Sequence, residues 1–279
     1  MEYMSVTQAA KKWNITERAV RNYLKEERVE GAFMMGKTWV IPMDAKKPDR
    51  KIRAGSLPDT LIDRLKYEKK KGIYSGIYGE LLVKTAFYSN LLSGNRLPLE
   101  CVEDIIRENM IKSPNVNLDE VLEQLNHGRA FNYVVDNAQK PLSVGFMEKI
   151  SHILSANLRH KRVSREDLSE QKPEGSSLEA VLLDYNSKDG SSFEDILDLH
   201  VKLMLLGFNR HYGGQTARLI LFKECIKNKF LPFVIDEELK LSYYRGIREW
   251  EKEKWYLVDT CRIAGDRMTE ILNRYDVLL

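Results

Sequence analysis

The sequence contains no run approaching the roughly 20 consecutive apolar residues that a membrane-spanning helix needs. Its first residues, MEYMSVTQAAKKW, lack an apolar core followed by a small-residue cleavage site. Both absences argue against membrane-spanning and exported classes, so a cytoplasmic protein with no membrane partner is the expectation. Cysteine is scarce: Cys101, Cys225 and Cys261 have no CxxC spacing and no neighbouring histidine pair. That excludes a disulfide framework and gives no reason to expect a metal site, and buried thiols are the simplest reading. There is no internal repeat, and strong charge imbalance is missing too, with a formal net charge of +3 over 279 residues.

The near-neutral total hides an asymmetry. Residues 1 to 54 hold 12 Lys and Arg against 7 Asp and Glu, whereas the rest of the chain holds 32 against 34. A basic excess confined to the front points to a polyanionic partner for that part alone. Hydrophobic content of 43% and charged content of 30% are ordinary for globular chains, and the length suffices for one large domain with a small appendage.

Ser5-Val6-Thr7-Gln8 has the form of a capping box, so a helix is predicted from about Val6 to Trp13. Thr16 can cap a second helix, ERAVRNYLKEE, with Ala19, Val20, Tyr23 and Leu24 on one face and Arg18, Arg21, Asn22 and Lys25 on the other. AFMM and TWVIP then read as two strands around Gly36-Lys37, a two-residue turn with glycine first. Arg18, Arg21 and Asn22 could reach base edges, while Lys25 and Lys37 suit phosphates. The charges alone fit a solvated helix face equally well. The stretch SVTQAAKKWNITERAVRNYLKEERVEGAFMMGKTWVIP resembles the small winged helix-turn-helix modules related to excisionases and MerR-type regulators. That resemblance implies DNA as the partner of residues 1–43.

Residues 44–58, DAKKPDRKIRAGSLP, are polar, carry two prolines and a glycine, and read as a linker. From 59 to 279 the periodicity predicts helices over roughly 58–71, 77–92, 98–112, 118–137, 143–157, 176–186, 191–206, 215–229, 236–251 and 256–275. Asn117, three residues before Glu120, looks like a capped start, and Arg159 to Gly175 is charged and aperiodic, as a loop is. The fold class expected is mainly α: a small winged helix-turn-helix followed by an all-helical domain.

The stretch SFEDILDLHVKLMLLGFNRHYGGQTARLILFKECIKNKFLPFVI resembles the centre of Fic proteins, which transfer AMP or a related group from a nucleotide onto a hydroxyl side chain of a target. FYSNLLSGNRL, QLNHGRAFNYVVDNA and YYRGIREWEKEKWYLVDTCR are similar to other segments of the same family, so the likeness spans most of residues 60 to 279. It implies the all-helical Fido fold. The family signature is His-Pro-Phe-x-(Asp/Glu)-Gly-Asn-Gly-Arg-x-x-Arg. Its histidine takes the proton of the attacking hydroxyl, its acid holds magnesium, its glycine turn aims amides at phosphate, and its arginines neutralise phosphate charge.

Anchored on Arg218-Leu219-Ile220, the comparison places Gly207 at the histidine, His211 at the acid, Tyr212-Gly213-Gly214 at the glycine turn and Gln215 at the first arginine. Only Gly214 and Arg218 fit as they stand. A general base typically contributes about 10²- to 10⁴-fold, so losing base, acid and arginine together should remove the usual reaction. His211 lies four positions beyond the expected base, and His200, seven before it, suits a core role. Many Fic proteins also carry an inhibitory helix, (Ser/Thr)-x-x-x-Glu-(Gly/Asn), whose glutamate pairs with the second arginine. The matching text here is Ser89-Asn90-Leu91-Leu92-Ser93-Gly94, with Ser93 in the glutamate's place.

Gly213 and Gly214 ahead of a helix, with Arg218 one turn along, fit an anion nest or a plain glycine turn whose arginine pairs with a carboxylate. The expectation is a DNA-binding regulator whose Fic-like body, without catalytic residues or required cofactor, senses a ligand or contacts a protein. One alternative is a Fic-fold transferase with a non-standard site, needing ATP and magnesium. Another is an interaction protein that modulates an active Fic partner.

Overall fold

A computed structural model describes residues 3–13, 15–25, 28–36, 38–48, 57–113, 115–159, 177–188, 190–207 and 211–279. They form twelve α-helices and three short strands, and the chain divides into two compact units, Met1–Leu57 and Pro58–Leu279. The protein is mainly α, as its periodicity predicts. No helix among the described residues is long and apolar enough to cross a membrane.

In the first unit, strand β1 (Tyr3–Met4) leads into α1 (Val6–Trp13), α2 (Glu17–Lys25), β2 (Phe33–Met35) and β3 (Thr38–Pro42). The capping box forms: the Ser5 amide donates to Gln8 Oε1 at 2.7 Å and the Gln8 amide to Ser5 Oγ at 3.3 Å. Thr16 Oγ1 accepts from the Ala19 amide and so starts α2. The sheet is antiparallel in the order β1-β3-β2. β1, which was not anticipated, is too short to carry a periodic signal. Met4, Ala9, Ala10, Trp13, Val20, Leu24, Val29 and Ile41 make a separate small core. Trp13 Nε1 donates to the Ala45 carbonyl at 3.3 Å, so the start of the expected linker is held against α1.

The second unit runs α3 (Leu61–Lys71), α4 (Ile77–Leu92), α5 (Leu99–Glu103), a π-helical turn (Asp104–Glu108), α6 (Leu118–Asp136), α7 (Val144–Leu154), α8 (Leu178–Asn186), α9 (Phe193–Leu206), α10 (Gly213–Lys227), α11 (Lys240–Arg248) and α12 (Trp255–Arg274). The helix expected over 98–112 ends early, because Asn109 turns left-handed at φ 52°. Asn117 caps α6 by accepting from the Asp119 amide, but Glu120 accepts from the Arg96 amide instead of closing a box. α10 is the central helix: Gln215, Thr216, Ala217 and every residue from Leu219 to Ile226 are buried. A helix enclosed on all sides must satisfy its polar groups internally. α10 does so through Lys223, which bonds Glu224 Oε1 and the Lys140 carbonyl at 2.6 Å each, and through Glu224 Oε2, which accepts from Tyr185. The loop expected from Arg159 to Gly175 lies outside the described residues beyond Arg159.

Candidate functional site

α9 ends at Leu206, with Gly207 in the left-handed conformation at its C-cap, φ 55°. A residue with φ in that region favours glycine, which gives Gly207 a backbone role and leaves it no side chain for proton transfer. After residues 208–210, which are not described, the half-buried His211 and the buried Tyr212 precede α10, whose first turn is Gly213-Gly214-Gln215.

The C-terminal half of α4 lies against that turn. Arg218 is half-buried and donates three times to it: Nε to Ser89 Oγ at 3.0 Å, and Nη2 to the Ser89 carbonyl at 2.8 Å and to Ser93 Oγ at 2.9 Å. Gln215, buried, donates to Asn90 Oδ1 at 3.0 Å, and Asn90 in turn donates to Gln124 Oε1 on α6 at 3.0 Å. Thr216 and Ser151 share a hydroxyl contact of 3.3 Å. The residues aligned with the inhibitory pattern, Ser89 and Ser93, therefore meet the second motif arginine, with Gly94 following at φ 94°. Among the described residues, the hydrogen-bond partners of Arg218 are the oxygens of Ser89 and Ser93, with no carboxylate among them.

Its charge also lies close to the helix start: a Cβ built on Gly214 would stand 3.1 Å from Arg218 Nη1. A cation folded back over the positive end of a helix lacks the compensation usual for a half-buried charge.

His200 is not available as a proton acceptor. His200 is fully buried, with Nδ1 against the Ala217 carbonyl at 3.1 Å and Nε2 against the Tyr243 hydroxyl at 2.7 Å. Burial pushes its pKa down to about 3, the Ala217 carbonyl opposes this, and Arg218 adds to the lowering. It is a neutral core residue. His211, which the resemblance sets at the family's metal position, offers an imidazole, whereas magnesium demands oxygen ligands, so this residue does not fit that ion. Among the described residues no group of three His, Cys, Asp or Glu side chains is placed to hold a metal. Cys225 and Cys261 are buried and their thiols pushed up by desolvation, whereas Cys101 is half-buried beside Ser113.

Sequence reasoning did not single out His127 or Asn90. His127 sits on α6, fully buried, with neither ring nitrogen bonded. Within QLNHGRAF it reads as one more helical residue; only its placement beside Arg218, some ninety positions away, distinguishes it.

In the first unit Arg18, Arg21, Asn22 and Lys25 are all exposed on the outer face of α2, opposite the buried Val20 and Leu24. Arg21 pairs with Glu17 at 2.8 Å. Glu17, which also accepts from Thr7 at 2.8 Å, has its pKa held down by that hydroxyl first and by Arg21 after it. Lys37 lies outside the described residues.

No family model matches the chain, and no curated relative matches it. Solved structures do. A Fic domain-containing signaling protein from Bacteroides thetaiotaomicron VPI-5482 is similar at a TM-score of 0.58 and 15% identity, over 77% of this chain and 96% of that one. Two structures of Fic-1 from C. elegans are similar at TM-scores of 0.58 and 0.57 and identities of 17% and 15%. They cover 78% and 76% of this chain, and 67% and 70% of their own. At such identities the likeness speaks for architecture alone, and it establishes that this chain carries a Fic-type fold.

Proposed function

We propose that the chain is a DNA-binding regulator, in which the first unit is a winged helix-turn-helix and the Fic-fold body senses a ligand or contacts a protein. The observation that carries this reading is the outer face of α2, where Arg18, Arg21, Asn22 and Lys25 stand together in solvent on the helix that precedes the β2–β3 hairpin in the chain. A recognition helix must offer such a face opposite its core stripe, because bases and phosphates approach from one side and the partner helix from the other. The regional charge excess supports it. Gel-shift and footprinting assays on the purified full chain test it: sequence-preferring binding that weakens as salt rises is expected. Absence of any DNA binding at low salt overturns it.

The body is read as a sensor and not an enzyme. Gly207 is a helix cap, His200 is occupied in the core, and His211 stands where a metal-holding carboxylate is needed. The transferase alternative, with ATP and magnesium, draws its support from Arg218 and the Gly213-Gly214 helix start as an anion site. Incubation with labelled nucleotides and a cell lysate decides between them. Protein labelling that disappears in Arg218→Ala would establish transfer.

A further inference from the structure

A second feature of the body concerns what it binds, and it holds whether or not the first unit reads DNA. Between α4, α6, α10 and the segment 233–235 lies a cavity of about 30 Å³, whose lining includes Ser89, His127 and Arg218 together with the apolar Phe222, Phe233 and Ile235. His127 is buried to 1% exposure and neither of its ring nitrogens has a partner. A buried imidazole left unbonded forfeits its hydration with nothing in return. Arg218, on the same cavity, is bonded among the described residues to neutral oxygens of Ser89 and Ser93. The lining thus offers a positive charge that no carboxylate meets among the described residues and an imidazole able to donate one N–H, and the rest of it is largely hydrocarbon.

We infer that this cavity binds a small monocarboxylate of formate or acetate size, its carboxylate between Arg218 and His127 and its carbon end toward Phe222 and Phe233. Size bounds the class: a water needs roughly 10–15 Å³ of such space, so there is room for about two or three waters, enough for a planar carboxylate group. Water alone would satisfy the imidazole but leave the guanidinium without a counter-charge. A planar carboxylate meets both, since guanidinium and carboxylate geometries match.

The test uses the full chain labelled with ¹⁵N in its histidine rings and titrated with sodium acetate and sodium formate against sodium chloride at matched ionic strength. One imidazole signal, identified by its loss in His127→Phe, should shift saturably with the carboxylates and not with chloride. In Arg218→Gln, checked for folding by circular dichroism, affinity should fall about tenfold to a hundredfold, the loss expected for a charge-assisted bond. Should Arg218→Gln fail to fold, Ser93→Ala, which removes one of the oxygens competing for the guanidinium, should tighten carboxylate binding. An unmoved imidazole signal, an equal response to chloride, or a crystal grown in acetate showing only water at His127 overturns the proposal. None of these outcomes bears on DNA binding, which the gel shift reads separately.

Discussion

α2 and α10 both carry their unit's conspicuous cations, and they hold them in opposite ways. On α2, Arg18, Arg21 and Lys25 stand in water, where hydration already compensates the charge and a surface pair such as Arg21–Glu17 adds little to stability. On α10, Lys223 is sealed within the core and Arg218 is half-sealed against hydroxyls. A solvated charge can be spent on a partner without cost to the fold. A buried one is part of the fold, and only where its compensation is incomplete, as at Arg218, does it remain available for binding.

Substitutions that separate these two situations should differ most at Lys223. Burial pushes its ammonium pKa down while Glu224 opposes the shift, and Lys223→Ala leaves the buried Glu224 with its closest counter-charge removed. Such a break costs about 3–5 kcal/mol, read as a lower urea midpoint with an unchanged slope.

Acid should act next. His127 and His200 are both held neutral, with pKa values near 3 set first by burial. The unfolded chain takes up their protons below about pH 6.5 while the folded chain does not, so stability present above that pH is lost as pH falls toward 3. The loss approaches about 1.4 kcal/mol per pH unit for each imidazole. No histidine lies in residues 1–57, so this sensitivity belongs to the larger unit. In urea titrations from pH 7 to 5, His127→Phe should flatten the pH dependence by one imidazole's share; an unaltered dependence would place the acid sensitivity elsewhere.

Arg218→Ala forfeits three hydrogen bonds but also relieves an uncompensated cation, so about 1–2 kcal/mol of destabilisation is expected by the same measurement. The smallest stability effect belongs to α2. Arg18→Ala and Lys25→Ala should leave the midpoint unmoved, while on DNA the loss of a phosphate contact in Lys25→Ala reduces the salt slope by about 0.9. A midpoint that falls as far for Arg18→Ala as for Arg218→Ala would erase the contrast between the two helices.

Much of this was readable in the order of residues, and the reasons are local ones. Ser5 with Gln8 and Thr16 with Ala19 are short-range bonds whose partners lie within four residues, so the starts of α1 and α2 follow directly. The long helices of the larger unit declare themselves by period. What the sequence conceals is set by distant partners or by single backbone angles. Asn109 stops a helix whose apolar pattern continues past it, β1 exists only because β3 is beside it, and α10 begins two residues before its expected start. At the site, the departures at Gly207, His211 and Gln215 were legible through family likeness. The orphaned His127 and the Gln215–Asn90–Gln124 chain were not, because three helices must pack before they meet.

Ser89 and Ser93 give Arg218 a latch of a particular strength. Neutral hydroxyl bonds of this kind are worth about 0.5–1.5 kcal/mol each, less than the roughly 1.5–3 of a bond between charged groups. An anion of the kind proposed above would compete with them on favourable terms, whereas a carboxylate at position 93 would have kept the bolt shut. Any such exchange would take place beside the Asn90–Gln124 bond that ties α4 to α6.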